Sequence, residues 1–79
     1  MTTLIDENIR VISLFENGKM KPILFSWRGR NYKVLRTVFS YSKNAGREKI
    51  FYFSIDTGGA IFELAFNQER FLWKITKIF

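Results

Sequence analysis

The chain contains no cysteine, no histidine and a single proline. Without cysteine it has no disulfide framework, no thiolate nucleophile and no sulfur-ligated zinc. That absence suits a reducing compartment, and a cytoplasmic location is the expectation. Without histidine the commonest general base and the commonest metal ligand are missing as well, so neither a metal nor another cofactor is expected. No apolar run approaches the roughly 20 residues that a membrane span requires. The segment Met1–Glu7 lacks the basic stretch and long apolar run of a secretory signal. The expectation is a soluble protein without a membrane span.

What is present is aromatic. Seventy-nine residues allow one domain, 1–79, because a chain this short hides only roughly 60% of its unfolded surface. Nine Phe, three Tyr and two Trp make up 18% of the sequence. Each ring can bury about 150–250 Å², which offsets the small size without covalent staples. Charged residues, 25% of the total, are mixed in sign rather than blocked, as in a folded domain.

Turn signals recur at short intervals: Asn17-Gly18, Arg28-Gly29, Asn44-Ala45-Gly46, Gly58-Gly59 and the polar Asn67-Gln68-Glu69. Between them lie β-branched and aromatic runs of strand length, the pattern of an antiparallel meander or small barrel. The expected strands are Ile9–Phe15, Ile23–Trp27, Asn31–Tyr41, Lys49–Asp56, Ala60–Asn67 and Phe71–Ile78. Alternation puts Ile23, Phe25 and Trp27 on one face of the second strand and Phe71, Trp73 and Ile75 on one face of the last. The fourth and fifth runs are apolar on both faces, as in central or covered strands. The third run is too long to stay flat, and Arg36 interrupts its apolar series. A bend near Leu35–Thr37 would let it serve both sides of a barrel. The fold class is therefore all-β, a six-stranded antiparallel barrel or strongly bent sheet of SH3-like or OB-like type. The expected core contains Phe25, Trp27, Val34, Phe53, Leu64 and Trp73. Leu4, Ile5, Ile9 and Ile12 also fit a helical stripe, so a short N-terminal helix is the alternative to strand there.

Charge is concentrated in the middle of the chain. Residues 19–49 hold Lys19, Lys21, Arg28, Arg30, Lys33, Arg36, Lys43, Arg47 and Lys49 against Glu48 alone. The net charge of +6 originates there, and a field so placed attracts polyanions. Trp27-Arg28-Gly29-Arg30-Asn31-Tyr32 is the most distinctive cluster. Its structural reading is a hairpin turn in which Gly29 takes positive φ while Trp27 and Tyr32 pair across the strands. Its functional reading sets Arg28 and Arg30 at an exposed tip as phosphate-contacting forks. Lys33, Arg36, Lys43, Arg47 and Lys49 form either a solvated, aggregation-resisting surface or an electrostatic footprint, with Tyr41 and Tyr52 as candidate base-stacking rings at its margin. Gly58-Gly59 lacks the lysine, spacing and helix of a phosphate loop and reads as a hairpin turn fixed by Asp56.

The stretch Pro22-Ile23-Leu24-Phe25-Ser26-Trp27-Arg28-Gly29-Arg30-Asn31-Tyr32-Lys33-Val34 resembles the signature of a small uncharacterised bacterial family. Its pattern is Trp-x-Gly-Arg-x-Tyr-x-Val, then Gly-Gly-x-x-Phe/Tyr-Glu-Leu and a C-terminal Trp segment. Gly58-Gly59-Ala60-Ile61-Phe62-Glu63-Leu64 and Phe71-Leu72-Trp73-Lys74-Ile75 stand at the latter two. The resemblance implies no established activity; some members are encoded near translesion-polymerase genes, which implies a DNA context. The loop Lys43–Arg47 is short where several relatives carry a longer, Trp-rich connection, so no role residing in that loop carries over.

No pair of Asp56, Glu63 and Glu69 has a spacing that implies convergence, and no Ser, Thr or Lys has an evident activating partner. The expectation is a non-catalytic binding module. One reading is low-specificity nucleic-acid binding through Arg28, Arg30, Lys33, Arg36, Arg47, Lys49, Tyr41 and Tyr52. The other is a protein-interaction or assembly module, with a protein partner or a second copy docked on an apolar patch or open sheet edge.

Overall fold

The structure, a computed structural model, describes residues 2–79. It comprises β1 (Thr3–Glu16), β2 (Lys19–Trp27), β3 (Arg30–Lys33), β4 (Arg36–Ala45), β5 (Glu48–Asp56), β6 (Ile61–Asn67) and β7 (Leu72–Ile78). All pair antiparallel in one seven-stranded sheet of order β3-β2-β1-β7-β6-β5-β4, and the described residues form no helix. Two-residue turns with positive φ set the first two hairpins. Asn17 and Gly18 join Glu16 to Lys19, and Arg28 (φ 51) and Gly29 (φ 77) join Trp27 to Arg30. Such turns match the right-handed strand twist.

The sheet is curled because its two edge strands are consecutive in the chain. Only Val34 and Leu35 separate β3 from β4. The Val34 N–H donates to the Ile23 carbonyl on β2 at 3.0 Å, and the Leu35 N–H donates to the Asp56 carbonyl on β5 at 2.8 Å. Neighbouring Cα atoms are about 3.8 Å apart, so the two ends of the sheet must meet at this point. Register breaks at Ile12/Ser13, Leu4/Glu7, Thr37/Phe39 and Glu63/Leu64 supply the local bends. Beyond Val34–Leu35, β2 and β4 are not paired, and the roll remains a half-barrel.

The closed end holds the core. Phe25, Phe53, Ile55, Phe62, Leu64 and Ile75 are buried, with Trp27, Val34 and Trp73 packed against them. Phe25 stacks on Tyr32 at 4.9 Å, and the Phe62 ring stands edge-on to both at 5.4 Å. The six expected core residues therefore share one cluster.

The all-β, barrel-like class is as expected, with seven strands where six were expected. The long third run divides into β3 and β4 at the anticipated bend. The N-terminal helix does not form: β1 begins at Thr3, and Ile5, Ile9 and Val11 alternate inward while Leu4 is 76% exposed. Two side chains depart from the expected inward sets. The irregularity at Ile12/Ser13 pairs Leu24 and then Pro22, skipping Ile23, which is 39% exposed while Pro22 takes the buried place. Phe71 precedes β7 in a turn at φ 53 rather than continuing the inward series of Trp73 and Ile75.

Candidate functional site

The β4–β5 hairpin carries an aromatic cluster on its convex face. Tyr41 and Tyr52 lie directly opposite each other in the ladder. Their rings stack with centroids 4.8 Å apart and planes at 11°. Alternation along β4 places Phe39, Tyr41 and Lys43 on the same side. Phe39 lies 5.7 Å from Tyr41, and the Lys43 ammonium sits 5.7 and 5.8 Å from the two tyrosine rings, within cation–π range.

A buried carboxylate anchors this cluster. Glu63 on β6 is only 3% exposed. It accepts hydrogen bonds from the Tyr41 hydroxyl at 3.2 Å and from Thr76 Oγ1 at 2.7 Å, and Lys77 Nζ lies 4.0 Å away. A buried charge persists only when paired and hydrogen-bonded, and Glu63 is both. Partial burial, followed by the negative charge of Glu63, raises the Tyr41 phenol above its ordinary value. The ring thus remains a neutral donor, held in one orientation.

The other expected site residues are dispersed. Arg28 stacks on Trp27 at 4.6 Å and donates to Glu7 at 2.6 Å, while Trp27 Nε1 donates to the same carboxylate at 2.9 Å. Arg36 reaches Asp56 at 3.4 Å. Arg30 and Lys33 are exposed on the β3 edge and make no ion pair among the described residues. Arg47 occupies the β4–β5 turn. Lys49 turns to the concave face, its ammonium 5.3 Å from the Phe51 ring. Arg36 and the Arg47 turn stand at opposite ends of β4, about 30 Å apart at about 3.3 Å per residue. Of the expected set, the structure brings together Tyr41 and Tyr52. Lys43, which the sequence shows two residues from Tyr41, joins them and is the cation of this face.

The concave side is a second feature. Between the β1–β2 turn and β4 lies an open groove of about 680 Å³ lined by Phe15, Met20, Phe51, Phe53, Phe66 and Phe71, with Ser40, Ser42 and Lys19 at its margin. Phe15 and Phe71 are 71% and 77% exposed. The groove exists because the concave face of β4 presents small hydroxyls: Ser40 opposes Phe53 and Ser42 opposes Phe51. Nothing on β4 is large enough to cover those rings.

Among the described residues no three carboxylates converge to hold a metal ion, and no helix is long and apolar enough to cross a membrane. Fold and site together define a small curled antiparallel β domain with an aromatic–cationic convex face and an apolar concave groove. Comparison with protein-family models, curated proteins and solved structures finds no match.

Proposed function

We propose that this domain is a non-catalytic module that binds single-stranded nucleic acid weakly and with little sequence preference across the convex face of β4 and β5. The observation that carries this reading is the Tyr41–Tyr52 stack with Lys43 over both rings and Phe39 beside it. Every base offers a π-face, so a stacking platform tolerates sequence, while a nearby cation meets the phosphate backbone. Arg47 at the hairpin tip extends the cationic track. Arg30 and Lys33, on opposite faces of the short β3 edge, supply further exposed cations. Arg28 and Arg36 are held in exposed ion pairs, which are worth little and exchange readily for phosphate.

The test is a salt-titrated binding assay with random single-stranded DNA and RNA and a duplex control. With Lys43 and Arg47 as the phosphate contacts, log affinity should fall against log salt with a slope of about −1.4, at about 0.7 per contact. Engagement of Arg30 and Lys33 steepens the slope, and reversing those two to Glu removes the increment. Absence of binding at low salt refutes the reading.

A further inference from the structure

We propose that the groove between β2 and β4 captures an extended acidic segment of a partner protein, which adds as a strand along the free edge of β4 and fills the open side of the half-barrel. The groove and the β4 edge lie beside the convex face and share Tyr41 and Lys43 with it, whereas the apolar floor and the free edge belong to the groove alone.

The geometry has three parts. First, the edge is free: β4 runs for ten residues with a partner on one side only, and β2 is unpaired by β3 along Lys19–Pro22. Such an edge is a template for strand addition, in which main-chain hydrogen bonds supply affinity and alternate side chains supply specificity. Second, the floor is apolar and incomplete. A strand laid beside β4 would direct every second side chain over Phe51 and Phe66, where Ser40 and Ser42 leave space. Third, Phe71 stands at the rim at φ 53, a backbone region costly for an aromatic residue, and its ring is 77% exposed, edge-on to Phe66 at 5.8 Å. The turn before β7 sets that φ, and it holds the exposed ring at the rim where an occupant of the groove would meet it.

Charge selects the occupant. β2 and β4 contribute Lys19, Lys21, Arg36 and Lys43 and no carboxylate, and of these four only Arg36 has an ion-pair partner among the described residues. An antiparallel β4–β4 pairing of two copies would bring two basic strands with no carboxylate together, and in the register that sets Arg36 against Lys43 like charges would face each other directly, which is destabilising. The net charge of +6 adds to that repulsion. A strand alternating Asp or Glu with large apolar residues satisfies both the lips and the floor.

The test uses a fluorescein-labelled, end-blocked heptapeptide, Glu-Ile-Glu-Phe-Glu-Val-Glu, against its counterpart with Lys at every Glu. The acidic peptide is expected to bind at least about tenfold tighter, and hydrogen exchange should show new protection of β4 amides. Ser42→Trp, which fills the groove from within, should weaken binding at least about tenfold while circular dichroism and the melting midpoint show the fold retained. Phe15→Ser should also weaken it, giving an independent variant if Ser42→Trp misfolds. Equal binding of the two peptides, no added β4 protection, or unchanged affinity in both variants would overturn the proposal. So would a free protein that sediments as a dimer with β4 amides already protected, which would give the edge to a second copy.

Discussion

Among the described residues three other than glycine hold positive φ, namely Asn17, Arg28 and Phe71, and they differ in what the strain accomplishes. At Arg28 it completes a hairpin turn with Gly29, whose φ of 77 is the conformation a β-branched side chain resists most. Gly29→Val is expected to destabilise the domain by roughly 1–3 kcal/mol, read as a lowered midpoint in chemical denaturation. At Phe71 no turn requirement demands an aromatic residue. Phe71→Gly should therefore stabilise by about 1 kcal/mol, while removing a ring from the groove rim and weakening peptide capture. Carboxylates set the acid limit. Hydrogen bonds from Arg28 and then Trp27 hold Glu7 below its ordinary value of 4.5, and those from Asn67 and then Arg70 do the same for Glu48. A depressed folded-state value favours the native state fully above the unfolded value and loses that contribution as pH falls through the folded one. The melting midpoint should fall on acidification below pH 4.5, and the Glu7→Gln/Glu48→Gln double variant should show a shallower fall.

At the scale of the element, the β4–β5 hairpin separates two kinds of contact on one face. Tyr52→Ala should weaken single-stranded nucleic-acid binding by about 1–3 kcal/mol with the salt slope nearly unchanged, because stacking releases no counterion. Lys43→Glu with Arg47→Glu should instead flatten the slope, and fluorescence anisotropy across a salt series distinguishes the two. The strands themselves were legible in the sequence because their signals are local: turn residues and alternation recur every few positions, and β5, β6 and β7 appear within a residue or so of expectation. Alternation failed where the ladder slips. Ile23 and Phe71 have the parity of core residues, yet a skipped position in β2 and a left-handed turn before β7 turn them out. Nothing local in the sequence marks either event, since both depend on the neighbouring strand. The N-terminal stripe was ambiguous for the same reason: Ile5 and Ile9 satisfy a helical and a strand spacing alike, and pairing to β7 decided between them.

At the scale of the whole molecule, the basic cluster of residues 19–49 was visible as composition but not as a surface. A curled sheet sends Arg30 and Lys33 to the β3 edge and Arg47 to the turn at the far end of the β4 edge, with Lys49 on the concave side of β5. Strand alternation alone puts Lys43 beside Tyr41, but only the tertiary pairing of β4 with β5 brings Tyr52 to the same place and leaves the other cations elsewhere. The same topology has a kinetic consequence. β1 pairs with β2 through a two-residue turn but also with β7 at the other end of the chain, where Ile9 faces Trp73. The remaining ladders are all local hairpins. Two meanders, β1–β3 and β4–β7, can therefore form quickly, but joining them requires a long loop closure that is unfavourable until the β1–β7 contacts reward it. That seam is expected to be structured in the folding transition state. Ile9→Ala should slow refolding as well as lower stability, whereas Tyr52→Ala, in a hairpin edge remote from the seam, should act mainly by speeding unfolding. Stopped-flow chevrons for the two variants, followed by the combined fluorescence of Trp27 and Trp73, would place the slow step at the junction between the first strand and the last.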